Sequence, residues 1–220
     1  MNKYNSVIYK NPNLKYDNKL IKYIISNYFN CNGKLLDVGC GNGKHMDIFK
    51  KYNIDVYGLD SREQNNKRIK ICNVETDKFP YEDNTFDFIY SKSLFEHILR
   101  ADNCISECYR VLKPNGKIII MIPEWKSQMK HYWDDYTHLH AWTKKSLKDM
   151  MMINGFNNVN CEIFYQLPFV WNSDIAKIVP KIISILPDSL KWKNEHMRNG
   201  EDRKLIRFSK EKMLLGYGEK

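Results

Sequence analysis

A chain of 220 residues with 43% hydrophobic and 13% aromatic residues against 28% charged can bury a sizeable core, which excludes a disordered protein. The net charge of +9 sits at the ends: residues 1–34 hold six Lys and one Asp, residues 190–220 hold nine Lys or Arg and five Asp or Glu, and 35–189 is neutral at twenty of each sign. That distribution argues against a nucleic-acid groove in the body of the chain.

No apolar run approaches the roughly 18 residues of a membrane span, and the opening MNKYNSVIYKNPNLKYDNK lacks the apolar stretch of a secretory signal, so a cytoplasmic protein is expected. Six scattered cysteines (31, 40, 72, 104, 108, 161) without a C-x-x-C pair read as reduced thiols, with Cys104 and Cys108 packing on a helix. The 23 Asn against 3 Ala look like coding bias, and Asn-rich stretches carry little functional weight.

Leu20, Ile21, Ile24, Ile25, Tyr28 and Phe29 recur at three-to-four spacing and predict an amphipathic helix over about 18–30. Alternating elements follow: strand KLLDVG (34–39), a helix after Asn42, and strands DVYGLD (55–60), RIKICN (68–73) and FDFIYS (86–91). A helix through 102–112 and strand KIIIMIP (117–123) come next. This alternation predicts a doubly wound α/β sandwich, a parallel sheet covered on both faces. Ten residues between Asp60 and Ile71 leave room for at most a very short helix, so that side should be thinly covered.

After Pro123 a polar and aromatic stretch leads to a helix near 144–154 ended by Gly155, and a strand near 158–165. Residues 174–192 are amphipathic, with Ile175, Ile178, Val179, Ile182 and Leu186 on one face; Pro180 and Pro187 should kink or divide them. KMLLGYG (212–218) reads as a last strand. The chain is expected to be one domain over 1–220, with an N-terminal helical extension (1–33), an insertion at 124–143 and an amphipathic insertion at 166–211 before the last strand.

In an open parallel sheet the ligand lies at the carboxyl ends of the strands. The first exit, Asp37-Val38-Gly39-Cys40-Gly41-Asn42-Gly43, removes side chains where the backbone must turn tightly against a ligand. The second places Asp60 at 21 residues beyond Gly39, where a carboxylate can accept from both hydroxyls of a ribose. The spacing is G-x-G-x-G, not the G-x-G-x-x-G of dinucleotide binders.

LLDVGCGNG (35–43) resembles the first motif of the class I S-adenosylmethionine-dependent methyltransferases. The likeness continues through Asp60, the stretch 73–87, SKSLFEHI (91–98) and RVLKPNGKIIIMIP (110–123). It implies a Rossmann-like sandwich with a mostly parallel seven-stranded sheet and an antiparallel last strand, S-adenosyl-L-methionine as cofactor, and methyl transfer by direct displacement. Asp37, Gly39, Cys40 and Gly41 would hold the methionine part, Asp60 and Ser61 the ribose, and Asn73 and Val74 the adenine, with Ser91 at the fourth exit. Many relatives carry Asp at the position of Asn73, whose amide can accept but brings no charge; Glu75 is the alternative in a register two residues away. Glu96 and His97 read either as part of the site or as helix-terminus and packing residues.

The acceptor side falls to the insertion after strand five. His138 with Asp134 or Asp135 is the candidate base and orienting carboxylate, and Trp133, Tyr136, His140 and Trp142 are candidates to line the acceptor pocket; alternatively Asp135 and Thr137 build a turn and the aromatics are core. Asp134, Asp135, His138 and His140 lack a paired metal-binding motif, so no metal is expected. The acceptor is expected to be a small molecule, a glycan or a lipid-linked intermediate. Residues 174–192 with the basic tail offer either a peripheral contact with an anionic inner membrane face or a lid or core helix. The rivals are an RNA or other nucleic-acid methyltransferase, disfavoured because Ser91-Lys92-Ser93-Leu94 lacks the Pro-Pro-aromatic signature, and a non-catalytic protein of the same fold. Oligomeric state is not legible.

Overall fold

The computed structural model describes residues 14–29, 32–191 and 204–220. Residues 1–13, Asn30, Cys31 and 192–203, with part of the basic charge at both ends, lie outside the described residues. Seven strands form one sheet: β1 (Lys34–Val38), β2 (Asp55–Asp60), β3 (Ile69–Ile71), β4 (Phe86–Lys92), β5 (Leu112–Pro123), β6 (Asn157–Phe164) and β7 (Met213–Glu219). Their order is β3-β2-β1-β4-β5-β7-β6, and β7 runs antiparallel to both β5 and β6. The chain winds outward from β1 to β3, then returns to β4 on the other side of β1. The order therefore reverses between β1 and β4, and a crevice opens at their carboxyl ends.

Alternation along each strand sorts the core into two layers. Leu36, Val38, Ile118 and Ile120 pack with Cys104, Ile105 and Cys108 of α3 (Ala101–Val111) and with Leu147 and Met151 of α4 (Lys144–Ile153). Leu35, Val56, Ile119 and Met121 face the other way, onto Leu20, Ile21 and Ile24 of α1 (Leu14–Ile24) and onto Met46 and Phe49 of α2 (Lys44–Lys50). The five described cysteines are free, and Cys104 and Cys108 are fully buried packing residues.

Several boundaries moved for identifiable reasons. The first helix begins at Leu14 and passes into a π-helical turn over Ile25–Phe29. β3 keeps three residues because it is an edge strand, and residues 61–68, all described, form no helix, as their length requires. β5 starts at Leu112, because the Lys113–Gly116 segment stays on the sheet through a register shift against Phe86 and Phe88. Pro187 divides the amphipathic segment into α5 (Ile178–Ile183) and a 3-10 turn at Asp188–Lys191. Pro180 sits in the first turn of α5, where its missing N–H leaves no helical bond unmade. α6 (Lys204–Lys210), which the sequence pattern did not announce, is tied to that turn by Lys210 to Asp188 at 3.1 Å.

One tight contact fixes how the helices meet the site. A Cβ at Gly58 in β2 would lie 2.6 Å from Cys40 Sγ and 2.8 Å from Met46 Sδ. Gly58→Ala should therefore destabilise the fold by about 1–3 kcal/mol through overpacking, read as a lower urea midpoint with an unchanged slope.

Candidate functional site

β1 ends at Val38, and the chain turns through Gly39, Gly41 and Gly43 at φ of +76°, +56° and +79°. Residues with a Cβ avoid that left-handed region, so the spacing of glycines is what permits the loop. The Gly39 and Cys40 N–H groups both donate to the Leu59 carbonyl at 2.9 Å, which ties the loop to the end of β2. A Cβ at Gly39 would meet Leu94 at 2.9 Å, so the β4 exit presses on the loop; at Gly41 it would meet no described atom within 4 Å, and the space there is open.

Asp60, buried at the end of β2, accepts from the Gly41 N–H at 2.9 Å and from the Arg62 N–H and Nε at 3.1 and 2.9 Å. It shapes the glycine loop and holds a half-exposed guanidinium that a competing ligand can displace. Asp37 lies behind it, and burial, then the nearby Asp60 carboxylate, push its carboxyl up to about 8. A cation settling beside Asp37 would restore its charge. Cys40 is half-buried, and burial raises its thiol well above the usual range. On the outer side, Asp17 of α1 is held between Lys44 and His45 at the start of α2. Burial alone would raise the Asp17 carboxyl, but those two partners outweigh it and the net shift is downward. No sequence signal marks this contact.

The remaining exits are engaged locally. Asn73 is exposed, accepts from the Glu75 N–H at 3.1 Å and forms a turn closed by Asp77 at 2.8 Å, while Val74 is buried behind it. Glu75 accepts from the Leu99 and Arg100 N–H groups at 3.2 and 3.3 Å, just ahead of α3. Ser61 is exposed beside Asp60, and Ser91 donates to the Val38 carbonyl at 2.9 Å, locking β4 to β1.

Past β4 the chain does not enter a helix at once; α3 begins only at Ala101, and Glu96 and His97 lie in the intervening turns. The 124–143 insertion folds back onto them. The Leu139 N–H donates to the Glu96 carbonyl at 2.7 Å, and the Trp142 indole N–H donates to the Phe95 carbonyl at 3.0 Å. This brings a carboxylate oxygen of Glu96 and a ring nitrogen each of His97 and His138 within 4.8 Å of one another. Glu96 is 1% exposed, and burial pushes its carboxyl up to about 8, against the pull of Lys92.

The other residues of the insertion take separate places. His138 Nε2 stands 4.0 Å from Asp135, whereas Asp134 meets His131 at 3.1 Å. Trp142 is buried as the anchor of the loop, Trp133 and Tyr136 are exposed, and His140 Nε2 faces the Leu99 carbonyl at 3.1 Å. The sequence had set Glu96 and His97 apart from His138; their shared position at the carboxyl edge, one after β4 and the other after β5, was the available signal.

Residues 15–160 match the family model described as a methyltransferase domain. The chain is 27% identical over 145 residues to phosphoethanolamine N-methyltransferase 2 of Caenorhabditis elegans, over 58% of this chain and 33% of that protein. It is 37% identical over 171 residues to cycloartenol-C-24-methyltransferase 1 of Oryza sativa subsp. japonica, over 67% of this chain and 47% of that protein. The matches thus span a third to a half of these relatives' length. The fold is similar to that of a SAM-dependent methyltransferase from Archaeoglobus fulgidus, with a TM-score of 0.67 at 18% identity, covering 99% of this chain and 98% of that one.

Proposed function

The chain belongs to the class I S-adenosylmethionine-dependent methyltransferases, and we propose that it carries a methyl group from S-adenosylmethionine to a small-molecule acceptor, free or as part of a glycan or lipid-linked intermediate, by direct displacement. The observation that carries this reading is one sheet edge that carries both the left-handed glycine loop with Asp60 and, past β4, the Glu96–His97–His138 cluster. Leu94, two residues before Glu96, touches Gly39 and links the two halves.

The residues fit the cofactor: open space stands at Gly41, and Asp37 is a buried acid that a cationic ligand would ionise. S-adenosylmethionine supplies a methyl group already activated on sulfur, so the chain's task is to hold it and align the acceptor. Asp37 and the backbone at Gly39, Cys40 and Gly41 hold the methionine end. Asp60 and Ser61 take the ribose once Arg62 has swung aside, and Asn73 and Val74 border the adenine, with Ser91 fixing the strand beneath. On the acceptor side His138 is the candidate base and Asp135 the acid beside it, with Asp134 paired to His131. Trp133, Tyr136 and His140 border the pocket mouth, and Trp142 holds the loop that carries them.

Calorimetric titration with S-adenosylmethionine, S-adenosylhomocysteine and NAD tests the reading. Binding of the first two and not the third is expected, followed by transfer of labelled methyl to an acceptor panel. A folded protein that binds none of them would be a non-catalytic member of the fold.

We further propose that the 174–192 segment rests on an anionic membrane surface. Ile175 and Ile185 are more than 80% exposed, Ile178 and Ile182 more than half, and Lys177 and Lys181 flank them. No described helix is long and apolar enough to cross a membrane. The protein should sediment with phosphatidylserine vesicles at low salt, and Ile185→Asp should weaken this; recovery in the supernatant with wild-type protein removes the proposal.

A further inference from the structure

The tautomers of His97 and His138 can be read from their partners. His138 Nδ1 lies 2.6 Å from the Tyr132 carbonyl oxygen, which can only accept, so Nδ1 carries the proton. The Thr137 hydroxyl donates to Asp135 at 2.6 Å and therefore accepts from His97 Nδ1 at 2.9 Å. With Nδ1 so engaged, Nε2 is the ring nitrogen left for a ligand in each case. His97 Nε2 stands 3.8 Å from Glu96 Oε1, and Glu96 Oε2 is buried with no hydrogen-bond partner. A ring nitrogen of each histidine and a carboxylate oxygen of Glu96 thus lie within 4.8 Å of one another, each imidazole held from behind by a carbonyl or by a carboxylate through a hydroxyl. That is the outer support metal-binding histidines require.

We propose that Glu96, His97 and His138 bind a divalent first-row transition ion of the zinc or iron(II) type at the carboxyl edge of β4. Two nitrogens and one carboxylate select such an ion over magnesium or calcium. Ligand atoms sharing one ion at about 2.0–2.2 Å sit roughly 3–3.5 Å apart, so the cluster closes by about an ångström on loading. Asp135, beside His138, adds negative charge, and Lys92, near Glu96, opposes the ion. Glu96 is buried while His97 and His138 keep some exposure, so the ion retains open positions toward the crevice. Resting on the methyl-transfer reading, those positions are where an acceptor hydroxyl would bind and release its proton to solvent, its oxygen then bonding to the methyl carbon as the sulfur–methyl bond breaks and S-adenosylhomocysteine leaves. With the ion in place both Nε2 lone pairs are ligands, and the base role falls away from His138.

The test uses tag-free protein stripped with a chelator, titrated with Co²⁺ for its visible absorption and with Zn²⁺ by calorimetry. One equivalent of either ion should bind, with ligand-field bands for cobalt. His138→Ala and Glu96→Gln should each weaken binding by about a hundredfold, and Thr137→Val, which removes the hydroxyl linking His97 to Asp135, by about tenfold. S-adenosylhomocysteine titrated into the same variants reports both folding and the cofactor site, and its affinity should hold. A protein that binds S-adenosylhomocysteine but takes up no ion, or takes it up equally well as Glu96→Gln, overturns the metal site and leaves the cofactor reading standing. One that loads the ion and binds neither S-adenosylmethionine nor S-adenosylhomocysteine supports the metal site and overturns the cofactor reading.

Discussion

Asp60→Ala should weaken S-adenosylhomocysteine binding by about a hundredfold or more while leaving the chain folded. A hydrogen bond to a charged group contributes about 1.5–3 kcal/mol, and a ribose offers two hydroxyls to one carboxylate. The carboxylate already holds the Gly41 N–H, so its loss also frees the loop at the glycine where the space for the ligand opens. Arg62, now without its partner at 2.9 Å, would stand where the ribose hydroxyls belong and offer them only donors. Asp60→Asn keeps one acceptor and should fall between wild type and alanine. Calorimetry on both variants, with circular dichroism and thermal unfolding as fold controls, reads the result. Wild-type affinity in Asp60→Ala would separate this acid from the cofactor and move the ribose elsewhere on the edge.

The sheet was legible because both of its faces are covered. β1, β2 and β4 are mostly buried, apolar-rich segments whose exits carry glycine, aspartate or serine, and such segments have few other ways to fold. The missing helix before β3 followed from counting residues, whereas β3 itself is half the length read at 68–73. α6 was not legible: its last residue, Lys210, is satisfied by Asp188 and by the Ser184 and Leu186 carbonyls, more than twenty residues earlier, and spacing along the chain does not reveal such pairs. The site divides in the same way. The glycine loop and Asp60 announce themselves, since their geometry needs those residue types in order. The grouping of Glu96 and His97 with His138 depends on the insertion folding back through the bonds of Leu139 and Trp142, which join positions more than forty residues apart.

Affinity for S-adenosylmethionine should rise with pH up to about 8, because Asp37 carries a proton in the free protein up to that value. The cofactor's ammonium and sulfonium favour the carboxylate, so binding expels the proton whenever the pH is lower. The dissociation constant should then fall by at most about tenfold per pH unit. Titrations in two buffers of different ionisation enthalpy should show up to one proton released at pH 6.5 and almost none near pH 9. The same carboxyl has a stability consequence of definite sign. Its folded value lies above its unfolded value near 3.9, so the native state binds more protons between about pH 4 and 8, and the cofactor-free chain loses stability as pH rises through that window. Asp37→Asn should abolish the proton release and flatten its share of that decline, and an unchanged release in this variant would assign the proton to another group. The two acids are coupled, since Asp60 is the second cause of the upward shift. In Asp60→Ala the repulsion goes while the burial stays, so the midpoint of whatever binding remains should move below 8 without reaching the ordinary carboxylate range.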